Sequence, residues 1–319
     1  MDQAVEKPLV PPRYVGPGPL RRTARGIRWL AREAWKDKVG LLGLLVVGGL
    51  LFVAIAAPLV APHDPTAQSL ETRLMPPFWL DGGSLSYPLG TDALGRDILS
   101  RVIFGSRTSL LIGVSVVLVA GAFGTLIGLW AGYKGGRTDS VLMRIVDTQV
   151  SFPGLLIALL ILAVIGASAQ TVIIALSING WMVYARLVRG LMLSLRESLY
   201  VEAAEVIGCK PRRVIFRHML PNLSSPLLTL GILEFARIIL AEAGLSFLGF
   251  GIQPPATSWG LDVSFGRDYM FAAWWLVAFP GMAISVTVLG VNLLASWLRI
   301  IADPQERDKR FARGVPGGG

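Results

Sequence analysis

Long uncharged runs, separated by short polar segments, dominate the hydropathy pattern of this chain. The runs cover 39–60, 108–133, 148–185, 223–250 and 269–298, and only 223–250 contains charged residues. A helix needs about 20 apolar residues to cross the roughly 30 Å hydrocarbon core of a bilayer. As one helix, 148–185 would be about 57 Å long at 1.5 Å per residue, so it is divided near Gly166–Gln170, where small and polar residues predict a turn. The pattern therefore predicts six transmembrane helices: 39–60 and about 108–133, 148–165, 170–187, 223–250 and 271–298.

Composition agrees with this pattern. Of 319 residues, 53% are hydrophobic and only 16% are charged, with a mean hydropathy of +0.59. A soluble domain carries about a quarter charged residues. The first run, 39–60, is too long for the core of a signal peptide and follows a basic tail, so it is expected to be retained. We expect an all-α integral membrane protein.

The distribution of lysine and arginine predicts the orientation. The N-terminal tail (1–38), the C-terminal tail (299–319) and the loops on their side hold 24 of these residues, against 5 on the side of segment 61–106. The positive-inside rule then places both termini in the cytoplasm and 61–106 outside. The net charge of +9 is explained by this bias and by contact with anionic lipid. Nucleic-acid binding is not expected, because no basic segment is attached to a soluble fold.

Few residues are suited to catalysis or metal binding. Cys209 is the only cysteine, and the two histidines, His63 and His218, are predicted to lie on opposite faces of the membrane. No metal site and no intrachain disulfide can be built from them. The sequence contains neither an HExxH motif nor a GxSxG motif, nor a GxxxxGK[ST] phosphate loop. We expect no enzyme activity, and ATP hydrolysis, if it drives the protein, belongs to another chain.

Three further patterns predict how helices of this chain pack against each other or lie at the membrane surface. Gly124, Gly128 and Gly132 form a small-residue ridge that favours close helix packing, although glycine is common in this chain. Segment 23–38 has apolar residues at helical spacing and predicts a helix on the membrane surface. Tryptophans near the ends of the last span are expected to form an interfacial belt: Trp274, Trp275 and Trp297.

A polar segment, Val201–Asn222, separates the fourth and fifth predicted spans. Leu199–Ile207 is suited to a short helix, Gly208 to a turn, and Pro211 to the first turn of a second helix. Small side chains at Ala203 and Ala204 are expected to leave one face free for a partner. Charge bias alone also explains a solvated basic loop here.

The spacing within this segment resembles the EAA loop of ABC importer permeases. It contains Glu202, Ala203 and Ala204, then three residues, Gly208, and finally Leu220–Pro221. His218 stands where the family usually has isoleucine, and RHMLPN is similar to the ending found in dipeptide, oligopeptide and nickel permeases. LGTDALGRDILSR (89–101) and SFLGFGIQPPATSWG (246–260) resemble the same group. The resemblance covers about 36–307 and is strongest to the second, C-type permease subunit.

The resemblance implies a type I ABC importer permease fold in a prokaryotic inner membrane. The expected partners are a second homologous permease subunit, two ATP-binding subunits that carry ATP-Mg, and an extracytoplasmic substrate-binding protein. No cofactor is expected on this chain. The implied function is binding-protein-dependent, ATP-driven import of dipeptides, oligopeptides or a related small solute. The EAA loop would couple nucleotide-driven motion to the spans.

Charged residues inside the predicted spans are costly and indicate a role. Glu234 and Arg237 can pair on one helix face, either as a structural pair or as the lining of a translocation path, and Glu242 lies nearer the outer end, where it is expected to be partly wet. Arg144 and Asp147 show the same spacing and are expected to form a structural pair.

Asp92, Arg96 and Asp97 lie in the glycine-bounded external segment. Asp92 can cap a helix that continues from Ile98. Alternatively, the three residues form an external gate or contact the binding protein. Two carboxylates are too few for a calcium site.

Two other classes remain possible. An ion-driven secondary transporter could use Glu234, Arg237 and Glu242 as its polar core, but it predicts paired internal repeats, and none is convincing here. A membrane enzyme or scaffold would require a catalytic constellation or an adaptor domain.

Overall fold

A computed structural model of the chain describes residues 37–302. The predictions for the two terminal tails, including the surface helix at 23–38, lie almost wholly outside these residues. The described chain is helical, with no β-strand beyond one isolated bridge between Thr91 and Asp97. Its helices are α1 (Lys38–Val60), α2 (Ile98–Lys134), α3 (Gly136–Val150), α4 (Gly154–Ile165), α5 (Ala169–Arg196), α6 (Leu199–Val206), α7 (Leu220–Phe247), α8 (Trp259–Gly266) and α9 (Trp275–Ala302). Shorter turns are two 3₁₀ helices, Leu70–Thr72 and Arg267–Tyr269, the helical turn Pro211–Arg213 and the π-helix Val214–Met219.

Five helices are long and apolar enough to cross a membrane, namely α1, α2, α5, α9 and α7 with the turns that precede it. The pair α3 and α4 would make a sixth span, but it is bent by 81°. The structure therefore differs from the prediction of one span at 148–165. Pro153 disfavours helical geometry in the residue before it, so α3 ends at Val150 and a new helix begins at Gly154.

Other helices extend beyond their apolar runs. α2 begins at Ile98, ten residues before the predicted 108, because the Asp97 side chain caps it by accepting from the Ser100 N–H at 3.0 Å. α5 continues to Arg196, past the predicted 187, and its Arg186 and Arg189 pair with α3. Hydropathy marks the membrane core, whereas local features such as the Asp97 cap determine where a helix begins.

The helices α2 and α5 pack closely along the glycine ridge. A Cβ atom at Gly128 would lie 2.6 Å from the Ala185 carbonyl oxygen, and one at Gly132 would lie 2.5 Å from the Met192 Cβ. A Cβ at Gly124 would likewise overlap the Trp181 carbonyl. The predicted close packing is confirmed, since any larger side chain on this ridge would force the two backbones apart.

The tryptophans of the last span do not form the predicted belt. Trp297 is 2% exposed and packs on Gly40 of α1. Trp275 is 5% exposed, and its Nε1–H donates to the Thr91 carbonyl oxygen at 3.2 Å. Only Trp274 of the three has a substantially exposed side chain. Proximity to a helix end predicts an interfacial tryptophan, but here protein covers two of the three rings.

Ion pairs join α3 to α5. Arg189 donates two hydrogen bonds to Asp139, at 2.8 and 2.6 Å, and Arg186 donates to Asp147 at 2.6 Å. The predicted pair of Asp147 with Arg144 is therefore wrong. Asp147 bonds across to α5 instead, which sequence spacing along α3 alone does not reveal.

Candidate functional site

The polar segment between α5 and α7 is held to the transmembrane helices by one face of α6. Val201 and Ala204 are buried in an apolar cluster with residues of α2, α5 and α7. Glu202 and Ala203 are exposed. The expectation that both alanines are free for a partner is therefore wrong for Ala204, because the face of α6 that carries Ala204 packs against the transmembrane helices.

The segment turns at Gly208, as predicted. The backbone φ of Gly208 is +78°, a left-handed conformation that favours glycine. The N–H groups of Gly208 and Cys209 donate to the carbonyls of Glu205 and Ala204, at 2.9 and 3.0 Å. These bonds give hydrogen-bond donors to two carbonyl groups at the end of α6 and turn the chain. Pro211 then begins the next helical turn.

The end of the segment is tied back to its start by Asn222. The Asn222 side-chain amide donates to the His218 carbonyl oxygen at 2.7 Å and to the Tyr200 hydroxyl at 3.1 Å. Leu220 and Pro221 begin α7 directly after the π-helix, and Pro221 has no N–H to donate to that preceding turn. Asn222 was absent from the predicted site, although it ends the RHMLPN motif. It links α6 directly to α7.

Large apolar side chains are exposed at the two ends of α6, and we call these three residues its apolar tip. Leu199, Val206 and Ile207 are 83%, 86% and 79% exposed. Such a cluster beside polar residues indicates a surface that a partner covers. The sequence reasoning placed the contact on the alanines and missed these larger side chains.

The pair Glu234–Arg237 forms as predicted on α7. Arg237 donates to Glu234 Oε2 from Nε at 3.0 Å and from Nη2 at 2.5 Å. The Glu234 side chain is 9% exposed and the Arg237 side chain 57%. Both residues lie near the middle of the 28-residue helix. A charged group thus faces outward from this chain at membrane depth.

Glu242 lies apart from that pair. It is 1% exposed, rather than partly wet as predicted, and its Oε1 accepts from the Ser246 and Ser258 hydroxyls at 2.8 and 2.9 Å. Ser258 in turn caps α8 by accepting from the Leu261 N–H. Glu242 therefore joins α7 to α8 and is not on the surface that carries Arg237.

The external residues Asp92 and Arg96 lie in a buried ion-pair network. Asp92 accepts from the Arg96 Nε at 2.6 Å and from the backbone N–H groups of Leu94 and Arg96. Arg101 lies 4.0 Å from the same carboxylate and pairs with Asp262 of α8. Burial raises the pKa of the Asp262 carboxyl, and the Arg101 guanidinium opposes this rise. The network holds the external segment to α2 and α8.

The prediction that Asp92 caps α2 is wrong. The cap is Asp97, because the Asp92 carboxylate accepts hydrogen bonds within its own turn. Asp97 is 1% exposed and also accepts from the Ser100 hydroxyl at 2.5 Å. The His63 ring lies 3.4 Å from it, and the His63 backbone N–H donates to Ser100. Asp97 thereby connects the end of α1 to the start of α2.

These observations define a multi-pass helical membrane protein with a structured polar segment on one side and a buried ionic network on the other. The chain belongs to the family of binding-protein-dependent transport system inner membrane components, whose family model matches residues 124–308. Residues 30–77 match the N-terminal transmembrane domain of oligopeptide transport permease C. The predicted ABC importer permease of the C type is confirmed, and the chain is a transport permease rather than a catalytic subunit.

Several characterised relatives are similar over most of the chain. A di/tripeptide transport system permease, DppC, of Pseudomonas aeruginosa is 39% identical over 93% of this chain and 96% of its own. The dipeptide transport system permease DppC of Bacillus subtilis is 37% identical over 86% of both chains. A solved chain of the MetNI methionine ABC transporter, in an inward-facing conformation, matches with a TM-score of 0.46 and 18% identity, over 68% of this chain and 97% of that one.

Proposed function

We propose that this chain forms half of the translocation pathway of an ATP-driven importer for dipeptides or oligopeptides. The similarity to permeases named for dipeptide and di/tripeptide transport, over most of both chains, carries the proposal. A second, homologous permease supplies the other half. ATP-Mg binds to two separate subunits, and an extracytoplasmic protein delivers the peptide. Both termini lie in the cytoplasm of the host cell.

The segment from α6 to the start of α7 is proposed to couple to the ATP-binding subunits. Its exposed tip, Leu199, Val206 and Ile207, supplies an apolar contact. Its inner face is packed on α2, α5 and α7, and the bonds of Asn222 join its two ends. A force on the tip therefore reaches three spans at once. The spans then exchange between discrete inward- and outward-facing packings.

Arg237 supports a pathway on one face of α7. An arginine at the centre of a lipid-facing helix costs about 2.5–3.5 kcal/mol on insertion scales. The 57% exposure of its side chain is therefore compatible with a membrane only if protein or water covers this face. We propose that the Glu234–Arg237 pair faces the second permease across the pathway, while Glu242 is structural.

Asp92, Arg96 and Asp97 are buried, so they are proposed to act indirectly. They give the external segment a rigid shape beneath the surface that the binding protein contacts. A direct contact would require the three residues to leave the network that satisfies them.

The test is affinity purification of the tagged chain from its native membranes in mild detergent, with the partners identified by mass spectrometry. We expect a second multi-pass permease and one or two subunits with a GxxxxGK[ST] motif. Recovery of a stable, solitary chain would contradict the proposal, and ion-driven uptake would then be measured. The same purification from Leu199→Asp/Ile207→Asp cells should retain the permease and lose the ATP-binding subunits.

A further inference from the structure

An apolar groove of about 760 Å³ runs between α1, α2, α7 and α9. Leu50, Leu126, Leu227 and Val291 contribute to its four walls, one from each helix. Along α7 it extends from Leu220 to Phe235, about 22 Å at 1.5 Å per residue. One leaflet of hydrocarbon is about 15 Å thick, half of the bilayer core. The groove can therefore accept an acyl chain over its full depth.

The groove lies on a different face of α7 from Arg237. Its α7 residues recur every three or four positions, for example Ser224, Leu228, Gly231 and Phe235. At 3.6 residues per turn, Arg237 lies roughly 140° around the helix from the centre of this face. The walls are almost wholly apolar, whereas a path for charged peptides needs polar groups. The groove is therefore suited to hydrocarbon.

Two arginines lie in the helical turn next to one end of the groove. Phe216, in the π-helix before α7, lines its end on the side of α6. Arg212 and Arg213 lie in the helical turn directly before this π-helix, four and three residues ahead of Phe216. Both are exposed, and none of the ion pairs formed within residues 37–302 includes either of them. This end of the groove thus has positive charge next to an apolar channel.

We propose that one anionic phospholipid occupies this groove, from the leaflet on the side of α6. Its acyl chains lie against α2, α7 and α9, and its phosphate accepts hydrogen bonds from Arg212 and Arg213. Guanidinium groups match phosphate geometry and bind it by charge-assisted hydrogen bonds. An anionic headgroup is favoured because a zwitterionic lipid brings its own cation to the same two arginines. The lipid contacts the turn between the coupling segment and α7, so lipid composition would influence coupling.

The test is native mass spectrometry of the full-length protein, with any partners that co-purify, after exchange into equal amounts of phosphatidylglycerol and phosphatidylcholine. We expect one phosphatidylglycerol per chain to survive detergent removal. Arg212→Gln/Arg213→Gln should lower its retention roughly fivefold for each arginine. Ser224→Trp, which places bulk in the groove, should remove bound lipid of either kind. Arg137→Gln is the matched control, an exposed arginine outside the groove, and should retain wild-type binding.

Three outcomes would overturn the proposal. Equal retention of the two lipids would show that the groove does not select an anionic headgroup. Unchanged retention in the double arginine variant would show that other residues hold the lipid. Cross-linking of Ser224→Cys to another polypeptide of the complex would make the groove a protein interface. The helical circular dichroism of every variant serves to show that each remains folded.

Discussion

Arg101 and Asp262 show how strongly single side chains matter in the external part of this protein. They are 161 positions apart in sequence, and each side chain is only 2% exposed. Thr257 also donates to Asp262, at 3.1 Å. A buried pair of this kind does little for stability compared with apolar residues, but removal of one partner leaves the other charge uncompensated. The external segment thus depends on both residues.

Asp262→Asn is expected to destabilise the folded protein by about 3–5 kcal/mol, because Arg101 would remain buried without its anion. The measurement is the thermal melting temperature of the detergent-solubilised protein. Asp268→Asn is the control, since that residue pairs with Arg267 at a surface where both side chains are more than half exposed. Its expected change is below about 1 kcal/mol. Equal melting temperatures for the two variants would contradict a supporting role for the buried pair.

Gly208 tests the coupling segment at a single position. Any other residue at its φ of +78° adds about 1–2 kcal/mol of strain, but a Cβ there meets no atom within 4 Å. We expect Gly208→Ala to retain uptake. In Gly208→Trp the bulk of the indole blocks docking, so this variant should either hydrolyse ATP without uptake or release the ATP-binding subunits. Uptake and ATPase activity are measured together in membrane vesicles. Normal uptake by Gly208→Trp would argue against coupling through this turn.

At the scale of secondary-structure elements, hydropathy determines where the spans lie, and local contacts determine where they begin and bend. Hydropathy locates α1, α2, α5, α7 and α9, but their ends differ from those of the apolar runs, as the Asp97 cap of α2 shows. The region of α3 and α4 departs most, since the predicted span 148–165 takes in only the end of the more polar α3, a break at Pro153 and the 12-residue α4, which is bent by 81° from α3. A proline thus changes the path of a segment that hydropathy assigns to one span.

Gly128→Leu is expected to prevent the close packing of α2 on α5. Its Cβ alone would lie 2.6 Å from the Ala185 carbonyl, and overpacking costs about 1–3 kcal/mol even where a core can adjust. The readout is the yield of monodisperse protein in detergent. Gly190→Leu on α5 is the control, because no atom lies within 4 Å of a Cβ there. Equal yields would show that the ridge is not needed for packing.

The whole molecule is asymmetric across the membrane in both charge and structure. One side carries α6 with its apolar tip, and the turn that contains Arg212 and Arg213. The other carries residues 61–97 and α8, held by a buried ionic network. Coupling and substrate delivery are therefore proposed for opposite ends of the same helices.

Membrane orientation can be measured by cysteine labelling. In a Cys209→Ala background, which has no other cysteine, we expect Ser86→Cys to react with a membrane-impermeant maleimide on intact cells after outer-membrane permeabilisation. Lys210→Cys should react only after the inner membrane is opened. Both positions are exposed, so accessibility reports the side of the membrane. The reverse pattern would contradict the charge-bias orientation.

The sequence by itself determined the class, the apolar spans, the glycine ridge and the family. These properties are local, since hydropathy, small-residue spacing and the EAA pattern each follow from residues close together along the chain. The turn at Gly208 and the Glu234–Arg237 pair were predictable for the same reason. Each depends on backbone or side-chain geometry within one short segment.

The tertiary structure decided what depends on contacts between distant segments. It placed Asp147 with Arg186, joined Arg101 to Asp262, buried Trp275 and Trp297, and turned Ala204 inward. It also formed the groove, whose walls come from four helices. Periodicity along a helix identifies the face of a side chain but not the element that covers that face, because the partner is set by the packing of the whole bundle.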